Sequence, residues 1–141
     1  MLLDEVPANT IHDGGRIRFG PDRLLYISTG DVSTPSVETP VAFFNPAIAP
    51  SGSSFYRGRV VPQFENNLFV GTLRGQHLLR LQLDGSGSRI VAQERLLDQR
   101  YGRIRDVVMG PDGLLYFCTN NRDGRGTPET ADDRIARLAP A

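Results

Sequence analysis

GPDRLLYIST at positions 20–29 returns as GPDGLLYFCT at positions 110–119. Each copy follows a short apolar-polar run, RIRF (Arg16–Phe19) in one case and IRDVVM (Ile104–Met109) in the other. Proline fixes φ at the turn, and the aspartate that follows accepts a bond from the backbone just beyond it. The unit therefore reads as strand, tight turn, returning strand. Writing one hairpin twice confines a chain to architectures assembled from repeated antiparallel units.

The intervening sequence extends the same grammar. NLFVGTL (67–73) is a buried run, and HLLRLQL (77–83) sets Leu79, Leu81 and Leu83 on one face against Arg80 and Gln82 on the other. DGSGS (84–88) is a hairpin turn, from which RIVAQERLL (89–97) pairs back, and RIARL (134–138) closes the series. No apolar pattern holds a helical period. The expectation is an all-β chain of nine or ten short strands, at about four strands per blade a partial β-propeller of two to three antiparallel blades. Residues 1–141 form a single domain on this reading.

Charge excludes some partners. Sixteen basic residues balance sixteen acidic ones, so no net field draws in nucleic acid or an anionic membrane. All of the basic residues are arginine, which we take as coding bias. Cys118, the single cysteine, rules out an internal disulfide and is expected to be a small buried side chain. No signal peptide or membrane span is visible.

Candidate chemistry lies beside the repeats. His12 precedes the pair Gly14–Gly15, which permits close backbone approach, and histidine is the usual base near neutral pH. A lone loop histidine is more often structural. Arg103 and Arg105 are two apart and share a strand face. Two guanidinium groups so placed repel unless an anion lies between them, whether a ligand carboxylate or a nearby aspartate. Asp106 points the other way and suits neither, and solvated arginines on an edge strand are the plain alternative. Arg74 ends a buried strand before Gly75 and either enters the same cleft or serves as a turn residue. Asp132 and Asp133 suggest a metal but fit a solvated turn better, and we assign no metal ligand. Two polar stretches, 31–40 and 120–133, read as loops that are functional or loose.

Taken in order, HDGGRIRFGPDRLLYISTGD, IAPSGSSFY, NNLFVGTLRG, LLRLQLDG, QERLL, GRIRDVVMGPDGLLYFCT and DDRIARL resemble the soluble glucose and sorbosone dehydrogenases that depend on pyrroloquinoline quinone (PQQ). The resemblance implies a six-bladed propeller with cofactor and calcium at the top of its channel. It assigns His12, in H-x-x-G-R-I, the role of base toward the sugar hydroxyl. Arg103 and Arg105, in R-x-R-D, are implied to bind the cofactor, and Arg74 to contact the quinone. A quinone with three carboxylates suits the arginine pair.

Departures from the family pattern are as informative. Where such proteins have several strands, an Arg-Asn pair that grips the cofactor and the calcium loop, this chain has only the stretch around residues 32–46. We expect an internal deletion there, without the calcium-binding loop, and sequence missing before Met1. Family members are typically exported. Two readings result. One is a PQQ-dependent oxidoreductase acting on an aldose, either alone or as one piece of a homo-oligomer that completes the propeller. The other is a catalytically inactive family fragment that persists as a binding or self-assembling module.

Overall fold

A computed structural model describes residues 15–30 and 40–140 of the chain. The nine strands among them form three antiparallel sheets in chain order. β1 (Arg16–Phe19) pairs with β2 (Leu25–Ser28). Next, β3 (Pro50–Phe55), β4 (Leu68–Thr72), β5 (Leu78–Leu83) and β6 (Ile90–Leu96) form a four-stranded meander. Finally β7 (Ile104–Met109), β8 (Leu115–Thr119) and β9 (Ile135–Leu138) form a three-stranded one. Among the described residues a single 3-10 turn, Pro62–Phe64, interrupts the strands. The all-β expectation is met, and β3 is the strand that periodicity did not reveal: its PSGSSF sequence lacks an apolar alternation.

Both copies of the repeat fold as hairpins, and both use their aspartate twice. In the first, Asp22 Oδ1 accepts from the Leu24 N–H at 2.9 Å and Oδ2 accepts from the Tyr26 hydroxyl at 2.6 Å. In the second, Asp112 accepts from Leu114 N–H at 3.2 Å and from the Tyr116 hydroxyl at 2.8 Å. The tyrosine four residues after the aspartate thus clips the turn to its own returning strand. The Tyr26 hydroxyl also lies 2.9 Å from the Gly87 carbonyl, in the turn between β5 and β6.

The middle sheet is covered on both faces, which explains why β4 reads as an unbroken apolar run. On one side Phe69, Leu78 and Tyr56 pack with Ile104, Val107, Leu115 and Phe117 of the third sheet. On the other side Phe55, Leu68, Val70, Leu79 and Leu81 pack with Ile48, and Tyr26 of the first sheet closes over them. Tyr56 is fully buried. Its hydroxyl accepts from Val61 N–H at 2.9 Å and donates to the Gly113 carbonyl at 2.8 Å, tying the middle sheet to the second GPD turn.

The leading strand of each sheet lies against the leading strand of the next, β1 on β3 and β3 on β7. Close approach there depends on glycine. A Cβ on Gly52 of β3 would overlap the Asp106 carboxylate and come within 2.6 Å of Asp106 Cα. The space lets Arg16 of β1 reach over to Asp106 Oδ2 at 2.7 Å. Cys118 departs from expectation. It is only partly buried, because β8 alternates and turns Leu115 and Phe117, not Cys118, toward the core.

Candidate functional site

Three of the four residues singled out from the sequence lie within the described structure; His12 lies outside the described residues. Arg103 stands at the entrance to β7, and the register between β7 and β8 slips between Ile104 and Asp106. Such a bulge bends the strand and re-aims its side chains. Arg103 and Arg105 emerge on one side, as their spacing predicts, and converge on one carboxylate oxygen. Arg103 Nη2 lies 2.7 Å from Asp123 Oδ2, and Arg105 Nη2 lies 3.7 Å from it. Arg103 Nε donates to the same oxygen at 3.2 Å.

The anion between the arginines is therefore Asp123, from the long loop after β8. Asp106 is a partner for neither, since it is engaged by Arg16 and accepts from the Val107 N–H. The charge arithmetic favours this arrangement. Two guanidinium charges about 6 Å apart repel by roughly 3 kcal/mol at an effective dielectric of about 20, less where water reaches them. A carboxylate within 4 Å of both offsets that repulsion. The two cations differ in freedom: the Arg103 side chain is 9% exposed and that of Arg105 48%.

Arg103 is also gripped through its backbone. Its N–H donates to Asn121 Oδ1 at 2.8 Å, and its carbonyl accepts from Asn120 N–H at 2.9 Å. Asn121 is the hub of the loop. Its Nδ2 donates to the Tyr101 carbonyl at 3.0 Å and to Asp132 Oδ2 at 2.9 Å, and its N–H donates to Asp133 Oδ1 at 2.6 Å. The loop at 120–133 is thus built, and Asp132 and Asp133 are its fasteners. Asp133 is exposed, as the expected solvated turn requires, whereas Asp132 is not. The Asp132 side chain is 2% exposed, taking bonds from Glu129 N–H and Arg134 Nε as well. Among the described residues no group of three or more His, Cys, Asp or Glu side chains is placed to hold a metal ion.

The carboxyl groups respond accordingly. Burial works to raise that of Asp123, but the bonds from Arg103 and the Arg125 N–H and the charges of Arg103 and Arg105 outweigh it. The result lies below the ordinary value. Asp132 is also held low, first by the Glu129 N–H, against a burial penalty, with help from Asn121 and Arg134.

Arg74 joins from the neighbouring sheet. The carbonyl of Leu73, the residue before it, accepts from Arg103 Nη1 at 3.4 Å. The N–H groups of Arg74 and Gly75 both donate to the Ile48 carbonyl, which fixes the backbone. The Arg74 side chain is exposed. The backbone next to Arg74 thus touches the Arg103–Asp123 pair through the Leu73 carbonyl. Arginine guanidinium groups are suited to pairing with carboxylates, and Arg105 is the half-exposed one of the pair. Sequence reasoning singles out the three arginines and passes over Asn121 and Asp123. The available signal was the polar run NNRD directly after the second repeat.

The family profile for Glucose / Sorbosone dehydrogenase matches residues 32–128. Aldose sugar dehydrogenase YliI of Escherichia coli (strain K12) is 36% identical over 87 residues, 62% of this chain and 23% of that protein. Quinoprotein glucose dehydrogenase B of Acinetobacter calcoaceticus is 32% identical over 78 residues, 53% of this chain and 16% of that protein. The PQQ-bound form of aldose sugar dehydrogenase from Streptomyces coelicolor superposes with a TM-score of 0.60 at 28% identity. That superposition covers 86% of this chain and 38% of the other. The chain spans less than a quarter of the length of these curated relatives. By the extent of the family match and the shared all-β architecture, it belongs to the glucose/sorbosone dehydrogenase family.

Proposed function

We propose that this chain is a sugar dehydrogenase segment in which Arg74, Arg103 and Arg105 hold the carboxylates of PQQ and His12 acts as base. The observation that carries the proposal is the family match over residues 32–128, which spans Arg74, Arg103 and Arg105, with Arg105 left half exposed beside the Arg103–Asp123 pair. A bound quinone supplies the two-electron acceptor for oxidation of a sugar hydroxyl to a carbonyl. Arg74, Arg103 and Arg105 would hold and orient it through its carboxylates, and their positive charge would favour its reduction. His12 takes the hydroxyl proton on an imidazole nitrogen as the C–H bond is broken. The test is a titration of the purified chain with PQQ and calcium, followed by absorbance, and then dye reduction with glucose. Saturable binding that Arg105→Ala weakens supports the proposal. No spectral change at any protein concentration removes it.

On this proposal the three sheets are consecutive blades of a six-bladed ring, shortened near residues 32–46 and without the calcium loop, and further strands complete the ring. A specific observation favours association. Arg16 and Arg18 of β1 face the middle sheet, where Arg18 Nε donates to the Ser53 carbonyl, so Ile17 and Phe19 face away. Those two are 57% and 66% exposed, and at the other end of the stack Val108 and Ile135 are 54% and 78% exposed. A second copy, meeting bare end to bare end, would bury both. The alternative function, a self-assembling module without catalysis, predicts the same association but no quinone binding. Light scattering and the titration together separate the two.

A further inference from the structure

We infer that Asp123 is the positioning residue of the arginine pair: its carboxylate holds Arg103 and Arg105 side by side and so sets how tightly a polycarboxylate ligand is gripped. The inference rests on the proposed PQQ-binding role for its ligand, but its geometry stands on this chain alone.

Three observations support it. Asp123 Oδ2 is shared by both arginines, and Asn120 Nδ2 also donates to it at 3.2 Å. Its Oδ1 accepts from the Arg125 N–H at 3.0 Å, so the carboxylate is held on both oxygens and does not swing with the ligand. The loop that carries it is pinned through Asn121 to the Arg103 N–H and the Tyr101 carbonyl. Glycine makes that docking possible: a Cβ on Gly126 would lie 2.6 Å from the Asn121 carbonyl oxygen and 2.9 Å from Arg103 Cδ.

Removing the Asp123 charge has two opposed effects. One negative charge fewer near the site favours an anionic ligand. Against this, Arg103 is buried and cannot leave, whereas half-exposed Arg105 escapes repulsion by swinging into water. A ligand must then draw Arg105 back against the charge of Arg103 and order a long side chain. The second effect is the larger, because both guanidinium groups lie within 4 Å of the one Asp123 oxygen that now separates them.

The experiment uses the full chain, with Asp123→Asn and Asp123→Glu as variants whose folding is checked by circular dichroism. PQQ is titrated well below the melting transition, and the arginine Nε–H signals are followed by NMR without ligand. The expected result for Asp123→Asn is PQQ binding about tenfold weaker, faster exchange of the Arg103 Nε–H with water, and a shifted Arg105 signal. Asp123→Glu, which restores the charge, is expected to recover binding to within about threefold. Equal affinity of wild type and Asp123→Asn for PQQ overturns the inference, as does an Arg105 signal unmoved by the substitution. If wild type takes up no PQQ, the proposed function fails for this chain, and the arginine spectra alone decide whether Asp123 positions the pair.

Discussion

Replacing Gly52 with alanine tests how the three sheets are held together. The added Cβ would come within 2.5 Å of Asp106 Cγ and 2.6 Å of Asp106 Cα, and overlap the carboxylate as well. Rotating the Asp106 side chain relieves part of this clash but not the contact with backbone. Carbon atoms rest about 3.5–4.0 Å apart, so β3 and β7 must separate by about 1 Å. Overpacking of this kind costs about 1–3 kcal/mol. Separation also strains the bond from Ser51 Oγ to the Ile104 carbonyl, now 2.8 Å, worth about 1 kcal/mol. The Arg16–Asp106 pair adds little, since both side chains are more than a third exposed. The sum is about 3 kcal/mol, which for a domain of this size lowers Tm by about 10 °C. Gly85→Ala is the control, because a Cβ there meets nothing within 4 Å. Thermal melts by circular dichroism are expected to place Gly85→Ala at the wild-type Tm and Gly52→Ala well below it. A Gly52→Ala melt within about 2 °C of wild type would refute the claim that leading strands pack this closely.

Other perturbations probe the loop and the turns. Asn121→Ala removes the hub between Arg103, Tyr101 and Asp132 and is expected to cost about 2–3 kcal/mol. Hydrogen exchange should quicken across 120–133 first, and unchanged protection there would contradict the assignment. Tyr26→Phe loses bonds to Asp22 and Gly87 and should cost about 1 kcal/mol. Tyr116→Phe, whose hydroxyl bonds to Asp112 at an exposed site, should cost less, and the reverse order of urea midpoints would count against the difference. Asp112, Asp123 and Asp132 are held below the ordinary carboxylate value in the folded chain. The unfolded chain therefore takes up protons first, so the stability they contribute is complete above about pH 5 and declines as the pH falls below about 4. Urea midpoints between pH 6 and 2.5 should show that decline, more shallowly in Asp132→Asn. A flat profile would contradict it.

Alternation and turn chemistry made much of the architecture legible. Asp22 and Asp112 announced two hairpins, DGSGS announced a third, and β5 showed its buried face through Leu79 and Leu81. β3 stayed hidden because PSGSSF is chosen for close approach to β7, which demands small residues where periodicity looks for large ones. The site was half legible. Same-face spacing brought Arg103 and Arg105 together, but the bulge in β7 and the partner twenty positions on are tertiary facts that no local pattern encodes. Asp132 misled for the same reason: a pair of acids before a strand looks solvated until the chain folds Asn121 and Arg134 onto it.

The central claim is that Arg74, Arg103 and Arg105 face one polycarboxylate quinone at a shared end of the sheets. A crystal structure of the chain grown with PQQ tests it most directly. The account predicts ligand density bridging the Arg103 and Arg105 guanidinium groups, with Arg74 turned toward it and Asp123 still on Arg103. Density bound elsewhere, or an Arg103–Asp123 pair that leaves Arg105 and Arg74 pointing away from the ligand, would contradict it.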